Sequence, residues 1–181
     1  MQESLLSLHR LVWTALLAAT IAAGAFMVVS FGPVPISMQL FFVFLAGYVL
    51  GPVQGAVCLL LYLAAGTIGL PVFSGGKSGL AHLIGPTGGY LLGFVFAAAI
   101  TGLSTRGRAM KLSWVMGLVW GVLGLVVAYA MGVAWLKHAI SADWSKALVV
   151  GCYPFIGWDL LKIVAAVACY RLLNRYKLLP W

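Results

Sequence analysis

Six apolar runs follow one another along the chain, and glycine, proline or charged residues separate them. Two prolines lie in the first break, Gly32-Pro33-Val34-Pro35, and Gly51-Pro52 separates the second run from the third. Proline lacks a backbone donor and ends helices, so each break marks the end of a helix. The pattern predicts an all-α membrane protein of one domain, residues 1–181. Its six transmembrane helices are expected at about 11–30, 37–50, 53–68, 86–104, 113–136 and 154–172.

Composition agrees with a surface that faces lipid. Of the 181 residues, 64% are hydrophobic and 8% are charged, whereas soluble domains carry about 25% charged residues. The chain is therefore predicted to be neither a cytosolic enzyme, nor a secreted disulfide-bonded domain, nor a disordered protein. The first apolar run is longer than the core of a signal peptide, about 7–15 residues, so we expect it to be a membrane span.

Motifs for catalysis or nucleotide binding are missing from the sequence. It contains no phosphate-binding glycine loop followed by lysine and serine or threonine. It also contains no Gly-x-Ser-x-Gly elbow, spaced histidine pair or metal-binding cluster. We therefore expect no enzymatic activity and no cofactor. Any uphill transport would take its energy from another protein.

Basic residues cluster at the ends of the apolar runs and give a net charge of +8. This distribution is typical of a membrane protein and not of a nucleic-acid-binding patch. On one predicted side lie Arg10, Arg106, Arg108, Lys111, Arg171, Arg175 and Lys177; on the other lie Lys77, Lys137 and Lys146. The positive-inside rule then places both termini in the cytoplasm and the glycine- and proline-rich loops outside a multi-pass cell membrane protein.

Two charged residues, Asp159 and Lys162, lie well inside the last run, in PFIGWDLLKIVAAV. Because they are three residues apart, they share one face of a helix. Charge within a membrane costs about 2.5–3.5 kcal/mol per residue, so the pair needs a reason to be there. It is either a structural ion pair or a polar ligand site, and one pair can be both.

The glycine-rich stretch 69–85 is longer than an ordinary interhelical connector. Gly75, Gly76 and Gly79 would let backbone approach a ligand or let a lid move. Lys77 either attracts an anionic ligand or is a solvated loop charge, and His82 is either structural or titrates near neutral pH. Tyr90 and Trp158 flank these polar features, where aromatic walls would suit an apolar ring.

Small residues form two ladders on the first span. One ladder is Ala15, Ala19 and Ala23, and the other begins with Ala18 and Ala22. Small residues four apart allow helices to approach closely. The ladders are either a partner-contact surface or ordinary alanine-rich membrane helix.

Several motifs resemble the BioY family, the biotin-specific S components of energy-coupling factor (ECF) transporters. They are GPVPISMQLFFVFLAG, LYLAAGTIGLPVFSGGKSGL, GPTGGYLLGF and PFIGWDLLK, in this order from about residue 15 to 172. The resemblance implies six helices and biotin bound near the outer surface, under the first and third connecting loops. It also implies a separate module of a membrane coupling protein and two ATPases, which alone uses ATP. The alanine ladders would contact the coupling protein.

The resemblance also implies a set of biotin-binding residues. They are Gln39, the loop from Phe73 to Gly79 (with Phe73, Gly75, Gly76, Lys77 and Ser78 singled out), the segment Gly85 to Tyr90, and Asp159 with Lys162. Trp158 joins the candidate set because it lies beside the polar pair, not because of the resemblance. The chain departs from the family pattern at Leu40 and in the basic residues Lys77 and His82.

Two arrangements of biotin fit this set. In one, Asp159 accepts a ureido N–H and Lys162 donates to the ureido carbonyl, while Lys77, Ser78 or His82 meets the carboxylate. In the other, Lys162 reaches the carboxylate. The remaining alternatives are an S component for another small vitamin and a membrane bundle protein or channel without such a ligand.

Overall fold

The computed structural model describes residues 2–29, 34–106 and 112–179. Apolar segments form helices because helical backbone satisfies its own N–H and C=O groups where water is absent. In the described residues the helices are α1 (Gln2–Phe26), α2 (Gln39–Thr67), α3 (Leu80–Ile84), α4 (Gly88–Leu103), α5 (Trp114–Ala139), α6 (Trp144–Gly151) and α7 (Ile156–Arg175). Two short strands, β1 (Val28–Val29) and β2 (Ile36–Ser37), pair in antiparallel fashion between α1 and α2.

Helix α2 reverses direction at Gly51. This glycine has φ 78° and ψ −179°, a conformation that other residues rarely adopt, and Pro52 follows it. A Cβ atom at Gly55 would lie 3.2 Å from Gly47 Cα. In one straight helix these two residues would be about 12 Å apart. The two halves of α2 therefore form a helical hairpin, in agreement with the break expected at Gly51-Pro52.

Helix α2 lies at the centre of the fold and packs against α1, α4 and α7, while α4 packs against α5. Fully buried side chains such as Phe44, Tyr48 and Leu59 of α2 fill the core. Gly102 of α4 rests on the Gly51–Pro52 peptide, and a methyl group at this position would overlap it. The tip of the α2 hairpin is thus held against the end of α4.

Several of these helices could cross a membrane. Three in the described residues are long and apolar enough: Leu8–Phe26, Gln39–Thr67 and Trp114–Ala139. Helices α6 and α7 together make a fourth candidate, bent by 47° at the break between them, and α4 is apolar but shorter. The fold is therefore mostly helical with several potential spans. The six transmembrane helices expected from the sequence stay a prediction. That number counts the two halves of α2 separately.

The element boundaries differ from the sequence-based ones in four places. Helix α1 begins at Gln2, well before residue 11, and α6 is a helix of its own in front of the last span. The glycine-rich stretch 69–85 contains the short helix α3, and the β1–β2 pair means that the fold is not purely helical. Of the residues singled out above, Gly32, Pro33, Arg108 and Lys111 lie outside the described residues.

Candidate functional site

A partly open cavity with about 70 Å³ of water-accessible space lies between the central helices and the loops that join them. Its walls come from α2, α4, α5 and α7, and strand β2, helix α3 and the loop residue Ser74 also contribute to its lining. Residues expected from the sequence line it, among them Gln39, His82, Tyr90, Asp159 and Lys162. Residues that are far apart in the chain thus meet around one cavity.

Asp159 and Lys162 form a buried ion pair in the first half of α7. The Lys162 Nζ atom donates to Asp159 Oδ1 at 2.7 Å, and both side chains are less than one tenth exposed. The Tyr129 hydroxyl of α5 donates to Asp159 Oδ2 at 2.6 Å. Each carboxylate oxygen keeps a free lone pair and the ammonium keeps two N–H groups. The cluster can therefore offer both acceptors and donors to a ligand in the cavity.

Gln39 lies in a hydrogen-bonded chain that joins two loops. The Ser37 hydroxyl donates to Gln39 Oε1 at 2.9 Å, and Gln39 Nε2 donates to the Tyr62 hydroxyl at 2.7 Å. The Tyr62 hydroxyl donates in turn to the carbonyl of Val72 at 3.0 Å. This chain fixes strand β2 and the glycine-rich loop to α2, so the wall of the cavity is held in place by polar contacts.

Phe73 anchors the glycine-rich loop. Its ring is fully buried against Gly66, where a side chain would overlap it, and it packs edge-on against Tyr62. Gly75 and Gly76 have φ values of 71° and 75°, which glycine adopts without strain, so the chain turns tightly after the anchor. The Gly75 N–H donates to the carbonyl of Ala25 at the end of α1.

The cavity receives one residue of the expected loop Phe73 to Gly79. Among the described residues that line it, the loop contributes Ser74; Phe73, Gly75, Gly76, Lys77 and Ser78 do not line it. Lys77 is exposed, and Ser78 is half-buried. The structure therefore brings Ser74 to the site and leaves the loop lysine at the surface.

The two aromatic residues singled out from the sequence have different places. Tyr90 of α4 is buried in the cavity wall, and its hydroxyl donates to the carbonyl of Gly151 at 2.6 Å. Trp158 of α7 is 60% exposed and does not line the cavity. Residues 158 and 159 are adjacent, so on a helix their side chains point about 100° apart. Burial of Asp159 therefore turns Trp158 outward.

Three polar residues from the loops and α3 also line the cavity: Ser74, His82 and Thr87. The His82 ring stacks on Phe73 with 5.2 Å between centroids, and its Nε2 lies 3.5 Å from Thr87 Oγ1. Burial, and to a smaller extent the charge of Lys77, lowers the pKa of His82 below its usual value of 6.5. His82 is therefore neutral at pH 7 in the empty site.

Sequence reasoning missed Tyr129 and Phe155 as site residues. The one usable signal was Tyr129, because a tyrosine within an apolar run needs a hydrogen-bond partner when it is buried. Its partner, Asp159, lies 30 positions away, so no spacing rule connects them. Loop residues such as Ser74 carry no periodic signal at all.

The two ladders on α1 face different ways. Ala15, Ala19 and Ala23 are exposed and lie beside other exposed apolar side chains of α1, such as Val12 and Leu16. Ala18 and Ala22 are half-buried and pack against the core. One small-residue ladder is thus an open surface, and the other belongs to the packing of the chain itself.

Comparison with known proteins gives consistent matches. The model of the BioY family matches residues 1–178. The probable biotin transporter BioY of Pyrococcus horikoshii is 43% identical over 153 residues, which are 84% of this chain and 88% of that protein. The biotin transporter BioY of Thermotoga maritima is 42% identical over 166 residues, which are 91% of this chain and 96% of that protein.

The fold is also similar to a solved structure. The crystal structure at 2.1 Å of the S-component for biotin from an ECF-type ABC transporter matches with a TM-score of 0.85 and 29% sequence identity. The match covers 93% of this chain and 92% of that one. The likeness in sequence and in fold therefore extends over nearly the whole molecule. The chain belongs to the BioY family.

Proposed function

We propose that this chain is the biotin-binding S component of a biotin uptake transporter. It captures biotin from outside and delivers it inward together with a separate ATP-driven ECF module. The observation that carries this proposal is the buried cluster of Asp159, Lys162 and Tyr129, which lines a cavity in a member of this family. The relatives named as biotin transporters support biotin as the ligand.

The cluster suits the ureido group of biotin. A ureido group has two N–H donors and one carbonyl acceptor. The free lone pairs of Asp159 can accept an N–H, and the remaining N–H groups of Lys162 can donate to the carbonyl. Since Asp159 and Lys162 neutralise each other, a neutral polar group can bind there without leaving a buried charge unpaired.

The apolar part of biotin would lie along the aromatic wall. Tyr90 and Phe94 of α4 and Phe155 in front of α7 line the same cavity. Rigid aromatic side chains give a fused ring system a large contact area with little loss of side-chain entropy. The aromatic wall would therefore hold the ring system while the polar cluster sets its orientation.

Charge distribution supports the direction of capture. The exposed residues Arg10, Arg106 and Arg175 would lie on the cytoplasmic side, with both termini. The loops that close the cavity would then face outside in the cell membrane. The exposed ladder of Ala15, Ala19 and Ala23 would contact the coupling protein of the ECF module, and ATP would be used by its ATPases.

A binding titration on the purified protein tests this function. Biotin is titrated into the parent, Asp159→Asn and Asp143→Asn proteins in detergent. Asp143 caps α6, and asparagine caps a helix equally well, so Asp143→Asn is the matched control. We expect saturable binding by the parent and the control. Asp159→Asn should lose about 2–5 kcal/mol of binding free energy because the ionised acceptor for the ureido N–H is replaced by a neutral amide.

Two results would contradict the proposal. One is a folded parent protein that shows no saturable biotin binding. The other is release of a different small vitamin from the purified protein, identified by mass spectrometry, which competes with biotin at lower concentration. The second result would assign the same cavity to that vitamin.

A further inference from the structure

An open groove lies between the first residues of α5 and the last turns of α7. Among the described residues, it shares no lining residue with the cavity that holds Asp159. Arg171, which lines the groove, lies about 18 Å along α7 from Asp159, because a helix rises about 1.5 Å per residue. The groove is therefore a separate feature, at the end of the bundle that would face the cytoplasm.

Arg171 is held in the groove by two contacts. Its Nη1 atom donates to the carbonyl of Leu112 at 2.8 Å, and its guanidinium carbon lies 5.4 Å from the centre of the Trp114 ring. The face of an aromatic ring attracts a cation at this distance. A guanidinium has five N–H donors, so four remain after the bond to Leu112. Arg171 is thus fixed in position while most of its donors stay available.

Arg175 adds a second positive charge to the groove. It lies four residues after Arg171, so the two side chains share one face of α7. The side chain of Arg175 is exposed, and neither arginine forms a salt bridge within the described residues. No acidic residue lines the groove in the part of the chain that the structure describes. The two cations therefore lack an anion of the protein itself.

Apolar side chains lie next to the two arginines. Trp114 and Leu172 line the groove and are 43% and 53% exposed, and Val115 beside them is 70% exposed. Tryptophan at the end of a membrane span is typical of the depth of the lipid headgroups. Cations beside exposed apolar surface suit an amphiphile with an anionic headgroup better than a free ion.

The helix ends at the groove also favour an anion. Helix α5 presents its N-terminus, where the helix dipole attracts negative charge. The carbonyl groups at the end of α7 would repel it, but those of Leu172, Leu173 and Asn174 already accept backbone N–H groups from residues 176–178. Their repulsion is thereby weakened.

We propose that this groove binds the headgroup of an anionic phospholipid. Arg171 and Arg175 would hold the phosphate, since the guanidinium fork matches two phosphate oxygens. The acyl chains would lie along Trp114 and Leu172. Free phosphate has the same oxygens, but it would leave this apolar surface uncovered. The site goes beyond the proposed function and does not depend on biotin as the ligand.

Native mass spectrometry of the protein in detergent tests the site. The protein is mixed with equal amounts of dioleoyl phosphatidylglycerol and dioleoyl phosphatidylcholine, which have the same acyl chains and differ in net charge. We expect the parent to retain mainly phosphatidylglycerol. Arg175→Gln should lower the ratio of retained phosphatidylglycerol to phosphatidylcholine about fivefold, the usual contribution of one basic residue near anionic lipid. The double variant with Arg171→Gln should bring the ratio close to one.

Arg10→Gln is the matched control, because Arg10 is also exposed, would lie on the same side of the membrane and does not line the groove. It should keep the ratio of the parent. Equal retention of the two lipids by the parent, or a parent-like ratio in both Arg175→Gln and the double variant, would overturn the site. Displacement of phosphatidylglycerol by ammonium phosphate, but not by ammonium acetate of equal ionic strength, would assign the groove to free phosphate and overturn the lipid.

Biotin titration of the same variants separates this site from the proposed function. All of them should bind biotin as the parent does, because the groove and the cavity have different linings. This result also shows that the variants are folded. A parent that retains phosphatidylglycerol but binds no biotin would contradict the proposed function and support the lipid site. Loss of biotin binding in Arg175→Gln alone would show that the groove and the cavity are not separate, against this proposal.

Discussion

At the scale of single residues, the environment of Asp159 explains how a charge pair can lie inside an apolar bundle. A carboxylate buried alone would be very costly, and one ion pair seldom compensates for the loss of water. Here Asp159 has two short donors, Lys162 and Tyr129, from two helices. Both charges are thus hydrogen-bonded within the protein. Asp159 keeps lone pairs and Lys162 keeps N–H groups that can bind a ligand.

Replacing Tyr129 by phenylalanine tests this arrangement. The change removes the hydroxyl that donates to Asp159 Oδ2 and keeps the ring. We expect biotin affinity to fall about tenfold, as for the loss of one charge-assisted hydrogen bond. Calorimetric titration in detergent measures it. Tyr153→Phe is the control, since Tyr153 is 60% exposed and should bind as the parent does. Unchanged affinity in Tyr129→Phe would mean that Lys162 alone orients the carboxylate.

At the scale of elements, the site depends on the hairpin of α2. The first half of α2 carries Gln39, and the second half carries Tyr62, which receives the Gln39 hydrogen bond. Reversal at Gly51 brings the two residues together although 23 positions separate them. The end of α4 supports this reversal, because Gly102 lies directly on the Gly51–Pro52 peptide.

A methyl group at Gly102 should therefore destabilise the whole bundle. In Gly102→Ala the new Cβ atom overlaps backbone that cannot move aside cheaply. We expect a loss of about 1–3 kcal/mol, seen as a lower Tm in detergent. Gly157→Ala is the control, because its Cβ atom would meet nothing within 4 Å and α7 is helical there. Its Tm should match or slightly exceed that of the parent. A parent-like Tm in Gly102→Ala would show that the hairpin does not rely on this contact.

At the scale of the whole molecule, the proposed biotin site and the proposed partner surface lie on separate parts of the bundle. The cavity is built from α2, α4, α5 and α7 together with loops. The exposed ladder of Ala15, Ala19 and Ala23 lies on α1, which contributes no residue to the described cavity lining. Binding and assembly should therefore be separable by mutation.

Ala19→Leu tests this separation. A larger side chain in the middle of the ladder should prevent close helix contact. We expect unchanged biotin affinity of the isolated subunit, and a loss of co-purification with the ECF module and of ATP-dependent biotin uptake in cells. Ala165→Leu on α7 is the matched control, because Ala165 is also exposed. Normal assembly of Ala19→Leu would remove this ladder from the interface, and weakened biotin binding would show that α1 also shapes the cavity.

The sequence by itself determined the class of molecule and the main polar feature of its site. Apolar runs and the scarcity of charge are local and additive properties, so they indicate a helical membrane protein before any folding. The spacing of Asp159 and Lys162 also lies within one turn of one helix, so a local rule is enough to pair them. The motifs led to the BioY family, and the family model and the relatives confirmed it.

Only the tertiary structure decided which residues lie around Asp159 and Lys162. Tyr129 reaches Asp159 from another helix, and Ser74 rather than Lys77 reaches the cavity because Phe73 is anchored under Gly66. Trp158 turns outward because its neighbour turns inward. Such contacts depend on the path of the backbone between distant segments. No pattern within one segment carries that information, since packing sets the path and periodicity does not.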